Sequence, residues 1–255
     1  MQLIALAALT DNYIWLQIDA KGHALIVDPG EAAPVLTACA QGIVPRAILI
    51  THHHADHLAG VATIRAHYPF IRVYGPEHPL IAADIVVRDG DVIPLGDSAL
   101  TVIAVPGHTH SHLAYYGAPH LFCGDTLFSL GCGRIFEGNA DTLFTSLQRL
   151  SQLPGSTLVC CGHEYSQANA RFATAVDSQN LALLQRCEQI HALRHCGKAT
   201  VPVRLDEELA TNPFLRCHTP AVQASVMRHF SQTEANERAI FTSLRRWKDQ
   251  FRSEI

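Results

Sequence analysis

The sequence predicts an α+β protein, with a β-rich domain over residues 1–166 and a smaller helical domain over residues 167–255. Three observations predict it. Apolar runs of strand length recur through the first two-thirds, and four of them end in His or Asp close to a glycine. The last third carries helical periodicity instead. In "EANERAIFTSLRRWKDQFR" (234–252), Ile240, Leu244, Trp247 and Phe251 fall at spacings of 4, 3 and 4, one face of a helix. Charge changes at the same place: residues 1–166 hold 7 Lys and Arg against 14 Asp and Glu, and residues 167–255 hold 12 against 9.

The elements follow in order. "ALIVDPG" (24–30) predicts a buried strand closed by a Pro-Gly turn. "EAAPVLTACAQG" (31–42) predicts a helix stopped by glycine. "RAILITHHH" (46–54) reads as a second apolar strand that runs into histidines, and "VATIRAHY" (61–68) as a short helix after them. "IRVYGP" (71–76) is another strand. "ALTVIAVPGHTHSH" (99–112), "HLFCGDTLF" (120–128) and "STLVCCGHEY" (156–165) repeat one theme, an apolar strand that delivers polar, metal-capable residues at its carboxyl end. Ligand sites form readily at such strand ends, where loops diverge from a rigid scaffold.

Composition narrows the function. With 255 residues, 48% of them hydrophobic and 16% charged, the chain has the make-up of a soluble globular protein. A net charge of −4 argues against a general nucleic-acid binder. The N-terminal "MQLIALAALTDNYIWL" has no basic start, and no stretch is apolar for long enough to span a bilayer, so the expected location is the cytoplasm. The eight cysteines form no C-x-x-C pair and are read as buried free thiols of a reducing compartment.

The chemistry concentrates in "THHHADHLAG" (51–60). Four imidazoles packed together repel one another whenever they protonate, so something must keep them neutral. On extended backbone His52 and His54 share a face and can reach one metal ion. If the chain then turns into a helix, Asp56 and His57 can reach a second. Two ions need more ligands, and His108 in "VPGHTH", Asp125 in "CGDTLF" and His163 in "CGHEY" are the candidates, with Asp125 able to bridge. Any one histidine after a strand is more often a surface or satisfied core residue. Six or seven at corresponding strand ends are not so explained.

T-H-x-H-x-D-H followed by G-H-T, G-D-T and G-H resembles the metallo-β-lactamase superfamily, whose members share a four-layer αββα sandwich with a binuclear metal site at one edge. The resemblance to glyoxalase II, the hydroxyacylglutathione hydrolase family, is closer and spans the chain. It rests on "FCGDTLFSLGCGRIFEG", "VCCGHEY", "NPFLR" and "RRWKDQF" besides the first motif. The resemblance implies His52, His54 and His108 on the first metal, Asp56, His57 and His163 on the second, and Asp125 bridging, with Asp28 supporting the site from outside. His53, His110 and His112 match no ligand position; His110 and His112 are read as supporting or structural. The implied cofactors are two divalent ions, zinc foremost, with iron or manganese acceptable to the same ligands. A hydroxide held between them, with Asp56 and Asp125 around it, would split S-(2-hydroxyacyl)glutathione, S-D-lactoylglutathione in particular, into glutathione and D-lactate, the second step of methylglyoxal detoxification.

The same resemblance implies Arg245 and Lys248 at the glycine carboxylate of glutathione, and Arg134, Phe136 and Tyr165 near its thiol and peptide backbone. From charge alone, Arg245 and Lys248 would read as an ordinary solvated basic face. Some members carry Lys and Tyr where Arg134 and Phe136 stand, so the contacts made there differ. The helix face over Ile240 and Phe251 is expected to pack on the first domain. The expected partner is a small-molecule thioester, with no nucleic acid or membrane, and the expected state is a monomer. The alternatives are another enzyme of the same superfamily, such as a mono-iron persulfide dioxygenase, or a non-catalytic metal-binding protein.

Overall fold

The computed structural model describes residues 1–95, 98–117, 119–231 and 236–252. Glu234 and Ala235, which open the C-terminal helical stretch read from the sequence, lie outside them. The chain runs β1 (Gln2–Ala8), β2 (Asn12–Ile18), β3 (His23–Val27), α1 (Ala33–Ala40), β4 (Val44–Leu49), α2 (Ala55–Leu58), α3 (Val61–His67), β5 (Arg72–Gly75), β6 (Ile85–Val86), β7 (Val92–Leu95), β8 (Ser98–Ala104), β9 (Leu113–Gly117) and β10 (His120–Gly124). It continues through β11 (Leu127–Phe128), β12 (Gly131–Cys132), α4 (Ala140–Ser151), β13 (Leu158–Cys161), α5 (Ser166–Val176), α6 (Leu181–His195), β14 (Val203–Arg204), α7 (Leu205–Thr211), α8 (Pro220–Phe230) and α9 (Glu237–Gln250). Among the described residues no helix is long and apolar enough to cross a membrane.

The chain divides into two compact units that interleave in sequence. The first comprises Met1–Val105, Ser111–Gly124 and Cys160–Glu164; the second comprises Pro106–His110, Asp125–Val159 and the chain from Tyr165 onward.

In the first unit, strands β1 to β6 form one sheet in sequence order. The pairings β1–β2 and β2–β3 are antiparallel, and β3 to β6 are parallel. Parallel neighbours need a crossover, which α1 supplies between β3 and β4, and α2 with α3 between β4 and β5. Ile14, Ile26, Ile48 and Ile64 are fully buried in the core this sheet makes with Val35 of α1. The antiparallel run β7–β8–β9–β10 lies in a second sheet, also of six strands. The β1–β2 hairpin lies where the sequence offered only an apolar N-terminus. Its residues Asn12–Ile18 are buried throughout, so no polar alternation marks it as a strand.

Val27 at the end of β3 is in register with Leu49 at the end of β4. Residues just beyond these two strands are therefore neighbours, and they are Asp28 and Thr51. The strand read over 46–54 is shorter than expected. It ends at Leu49, because Asp28 takes the next free amide: the Thr51 N–H donates to Asp28 Oδ1 at 2.7 Å. His52 and His54 thus sit on a turn, with His54 as the N-cap of α2, and do not alternate along a strand. The run read over 120–128 is likewise broken at Asp125, between β10 and β11.

In the second unit, α9 presents the face expected of it. Ile240 and Leu244 are fully buried. Trp247 stacks on His229 at 3.9 Å between ring centroids, and Phe251 meets Phe172 edge-on at 5.3 Å. Phe241 meets Phe144 of α4, which lies within residues 1–166, and Phe214, which does not. All these partners belong to the second unit, so the face packs within the unit that carries it. None of the eight cysteines forms a disulfide; five are buried, but Cys39 and Cys187 are half-buried and Cys196, at the C-cap of α6, is exposed.

Close backbone approach fixes the turn after β3. A methyl group added to Gly30 would lie 1.9 Å from the carbonyl oxygen of Asp56. Replacing Gly30→Ala should therefore displace the α2 turn and lower stability by about 1–3 kcal/mol, the usual cost of overpacking. Thermal unfolding checks this, and a melting temperature equal to wild type would contradict the packing described.

Candidate metal centre

The first unit gathers Asp11, Asn12, Asp28, Thr51, His52, His54, Asp56, His57 and His163 at one end of its parallel strands. Asp28 organises them. Its backbone is left-handed at φ 51°, a conformation that Asp tolerates better than most residues. Its Oδ2 accepts from the Thr51 hydroxyl at 2.7 Å and from His57 Nδ1 at 3.0 Å. A carboxylate only accepts, so His57 carries its proton on Nδ1 and bares Nε2. The Thr51 hydroxyl has given its hydrogen to Asp28. Its oxygen can then only accept from His52 Nδ1, 3.0 Å away, which bares His52 Nε2. His163 is treated in the same way by Asp11, whose Oδ1 accepts from His163 Nδ1 at 2.9 Å.

The bared atoms converge. His57 Nε2 lies 3.3 Å from His163 Nε2, and Asp56 Oδ2 lies 3.3 Å from His163 Nε2 and 3.6 Å from His57 Nε2. Three acceptors facing one another at these distances repel, unless a cation sits among them. Ligands about 2.0–2.1 Å from a tetrahedral zinc ion stand roughly 3.4 Å apart, which is the spacing found. The residues therefore fit a divalent metal. Asn12 Nδ2 steadies the carboxylate, donating to Asp56 Oδ2 at 3.0 Å. The Asp56 side chain keeps 38% of its surface exposed whereas those of His57 and His163 are buried, so the site opens on the carboxylate side. His52 Nε2 meets His54 Nδ1 at 3.0 Å. His112 supports His52 from behind, its ring stacked at 4.6 Å, while His53 stacks on His78 at 3.8 Å.

In the second unit, His108 follows the same logic. Its Nδ1 donates to the carbonyl oxygen of Arg134 at 2.7 Å, and its bared Nε2 lies 3.5 Å from Asp125 Oδ2. Phe136 covers the His108 ring edge-on at 5.2 Å and is otherwise mostly exposed. Tyr165 stacks edge-on against Phe128. Arg134 Nε is 3.5 Å from Asp249 Oδ1. Arg245 is not part of a solvated face. It is buried, donates from Nη1 to the Cys132 carbonyl at 3.0 Å, and pairs through Nη2 with Asp249 at 2.9 Å. Lys248 donates to the Ala168 carbonyl at 3.2 Å, and burial, helped by the Arg245 charge, pushes its ammonium down to about 8.

Two family models match consecutive parts of the chain: the metallo-beta-lactamase superfamily over residues 10–163 and the hydroxyacylglutathione hydrolase C-terminus over residues 164–251. A hydroxyacylglutathione hydrolase from Xanthomonas campestris pv. campestris (strain B100) is 52% identical, across 99% of this chain and 100% of its own length. The chain belongs to the hydroxyacylglutathione hydrolase family. The family's fold is mixed α+β, a metallo-β-lactamase domain followed by a helical one, and its members are hydrolases. Among solved structures, ETHE1 from Myxococcus xanthus is 32% identical, covers 65% of this chain and 76% of its own, and superposes with a TM-score of 0.59. The BLEG-1 B3 metallo-beta-lactamase is 23% identical over 84% of this chain and 98% of its own, with a TM-score of 0.62, a likeness of fold.

Sequence reasoning missed Asp11, Asn12 and Thr51. The signal for the first two was present: "DN" interrupts an apolar run at Asp11–Asn12, which is where a hairpin turn puts polar side chains. Nothing local marks Thr51, whose role depends on Asp28, 23 residues earlier.

Outer partners of metal-binding histidines are worth about 10–100-fold in affinity. Asp28→Asn, which can accept at only one of its two side-chain positions and so must lose either the Thr51 amide or the pair formed by the Thr51 hydroxyl and His57 Nδ1, should weaken zinc binding by that factor. Competition with a chromophoric chelator reads it, and unchanged affinity would contradict the role given to Asp28.

Proposed function

We propose that this member of the hydroxyacylglutathione hydrolase family cleaves S-(2-hydroxyacyl)glutathione thioesters, S-D-lactoylglutathione foremost, to glutathione and a 2-hydroxy acid, with two divalent cations held by seven side chains. The observation that carries the reading is the convergence of His57 Nε2, His163 Nε2 and Asp56 Oδ2 within 3.3–3.6 Å of one another, the spacing of ligands around one metal ion. His52, His54 and His108 would hold one ion, Asp56, His57 and His163 the other, and Asp125 would serve both. Zinc suits these ligands best, with iron or manganese possible by ligand type. When bound, such ions polarise the acyl carbonyl and lower the pKa of water to about 7. The chain's own residues do the rest. Asp28 and Asp11 fix the histidine tautomers, and Asp56 and Asp125 hold negative charge beside the reacting centre.

Residues 1–166 would then serve as the metal module and 167–255 as the glutathione module of a monomeric enzyme. Lys248 and Arg245 would meet the glycine carboxylate, with Tyr165, Arg134 and Phe136 along the peptide. Of the two cations, Lys248 has more to offer a substrate, since the Arg245 guanidinium already serves Cys132 and Asp249. The C-terminal match over residues 164–251 favours this reading over a persulfide dioxygenase or a metal protein without catalysis.

The test pairs metal counting with thioester hydrolysis on one purified sample. About two ions per chain and hydrolysis of S-D-lactoylglutathione are expected. Lys248→Met should raise KM roughly tenfold, about 1.4 kcal/mol of binding, and leave kcat nearly unchanged. In the native enzyme kcat/KM should fall as pH rises through about 8, where the Lys248 ammonium is lost, and Lys248→Arg should abolish that fall. Two ions without thioester hydrolysis would sink the substrate assignment and leave the metal centre standing.

A further inference from the structure

The "NPFLR" motif has no part in the site described so far, and its asparagine occupies an unusual position. Asn212 is fully buried at the end of α7. Its Nδ2 donates to the Phe128 carbonyl at 3.1 Å, the Gly131 carbonyl at 2.9 Å and Glu208 Oε2 at 2.9 Å. Its Oδ1 accepts from the Phe214 amide at 3.0 Å, capping the short helix Pro213–Leu215. Three other buried side chains grip the same loop. Asn169 Nδ2 donates to the Ser129 carbonyl at 3.0 Å, Glu208 Oε2 accepts from the Leu130 amide at 2.8 Å, and Arg245 donates to the Cys132 carbonyl at 3.0 Å. From Phe128 to Cys132, every residue has a backbone group held by one of these four. Leu130 is left-handed at φ 58°, a conformation costly for a side chain of its kind, and an untethered loop would relax it.

The held loop leads straight to two of the candidate ligands. Asp125 stands just before β11, and a methyl group added to Gly133 would lie 2.0 Å from the Asp125 carbonyl oxygen. The Gly133 amide donates to the Thr126 carbonyl at 3.1 Å. Arg134, next in sequence, supplies the carbonyl that fixes the His108 tautomer. The Phe136 amide donates to the His108 carbonyl at 3.2 Å. We propose that Asn212, with Asn169 and Glu208, is a positioning residue for the metal reaction: it fixes the Phe128–Gly133 loop and through it the Asp125 carboxylate and the His108 ring. The inference rests on the reading of His108 and Asp125 as ligands.

Asn212→Asp tests it, because the carboxylate keeps the shape and the Phe214 cap but cannot donate to the two carbonyls. Asn169→Ala is the second variant. It removes one grip and leaves the cap intact, and it decides by the same readouts if Asn212→Asp does not fold. Zinc affinity is read by chelator competition, and kcat and KM on S-D-lactoylglutathione. In a folded variant the ion on His52, His54 and His108, which takes both His108 and Asp125 from the loop, should bind at least tenfold less tightly. The other ion, on Asp56, His57 and His163, takes only Asp125 from the loop and should lose less than threefold. The kcat should fall at least tenfold and KM change less than threefold. Equal loss at both ions, or a change in KM alone, would contradict the proposal. Wild-type protein with two ions and turnover, matched by both variants, overturns this inference only. Wild-type protein that binds one ion overturns the ligand reading and this inference with it.

Discussion

The carboxylate of Asp28 is the constraint on which the first unit's site depends. It is buried, it ends the ladder of the strand beside it by taking the Thr51 amide, and it takes two further hydrogens, from the Thr51 hydroxyl and His57 Nδ1. Those bonds stop the strand, start the turn that carries His52 to His57, and set two histidine tautomers. Each consequence follows from one property, that an ionised carboxylate accepts and does not donate. Register makes it available, since β3 and β4 end level with each other.

That constraint sets the His52 and His57 rings, and Asp11 and the Arg134 carbonyl set two more. His52, His57 and His163 in the first unit, and His108 in the second, each have Nδ1 against an oxygen that can only accept in that setting, so each holds its proton on Nδ1 and none on Nε2. A fold that buries several imidazoles in one protonation pattern has set itself a repulsive arrangement, and a cation resolves it. Metal affinity and histidine protonation are then two sides of one equilibrium. The second unit repeats the device with a backbone carbonyl in place of a carboxylate. The loop that leads to it, Phe128 to Cys132, is held by the buried side chains of Asn212, Asn169, Glu208 and Arg245.

Much of this was legible in the sequence, and the reasons differ by residue. The alternation in "THHHADH" and the glycines beside His108, Asp125 and His163 named the candidate ligands, because ligand chemistry restricts residue type. The strand over 46–54 was read too long, because its end is set by Asp28, which local pattern does not register. The β1–β2 hairpin was not read as strands, since β2 is buried on both faces and shows no alternation. The periodicity of Ile240 to Phe251 gave α9 and its buried face. It could not show that Arg245, three residues before Lys248, would be drawn into the interior by the carbonyl of Cys132. The division of the chain was seen as a change of character near Tyr165, whereas the compact units interleave: residues 106–110 and 125–159 belong with the helical part.

The most direct test of the account is the nitrogen NMR of the His57 and His163 rings, recorded on metal-free and zinc-loaded protein. The account predicts a proton on Nδ1 of both rings in both states, and a shift of both Nε2 resonances to metal-bound positions on loading. A proton on Nε2 in the metal-free protein, or Nε2 resonances indifferent to zinc, would contradict it.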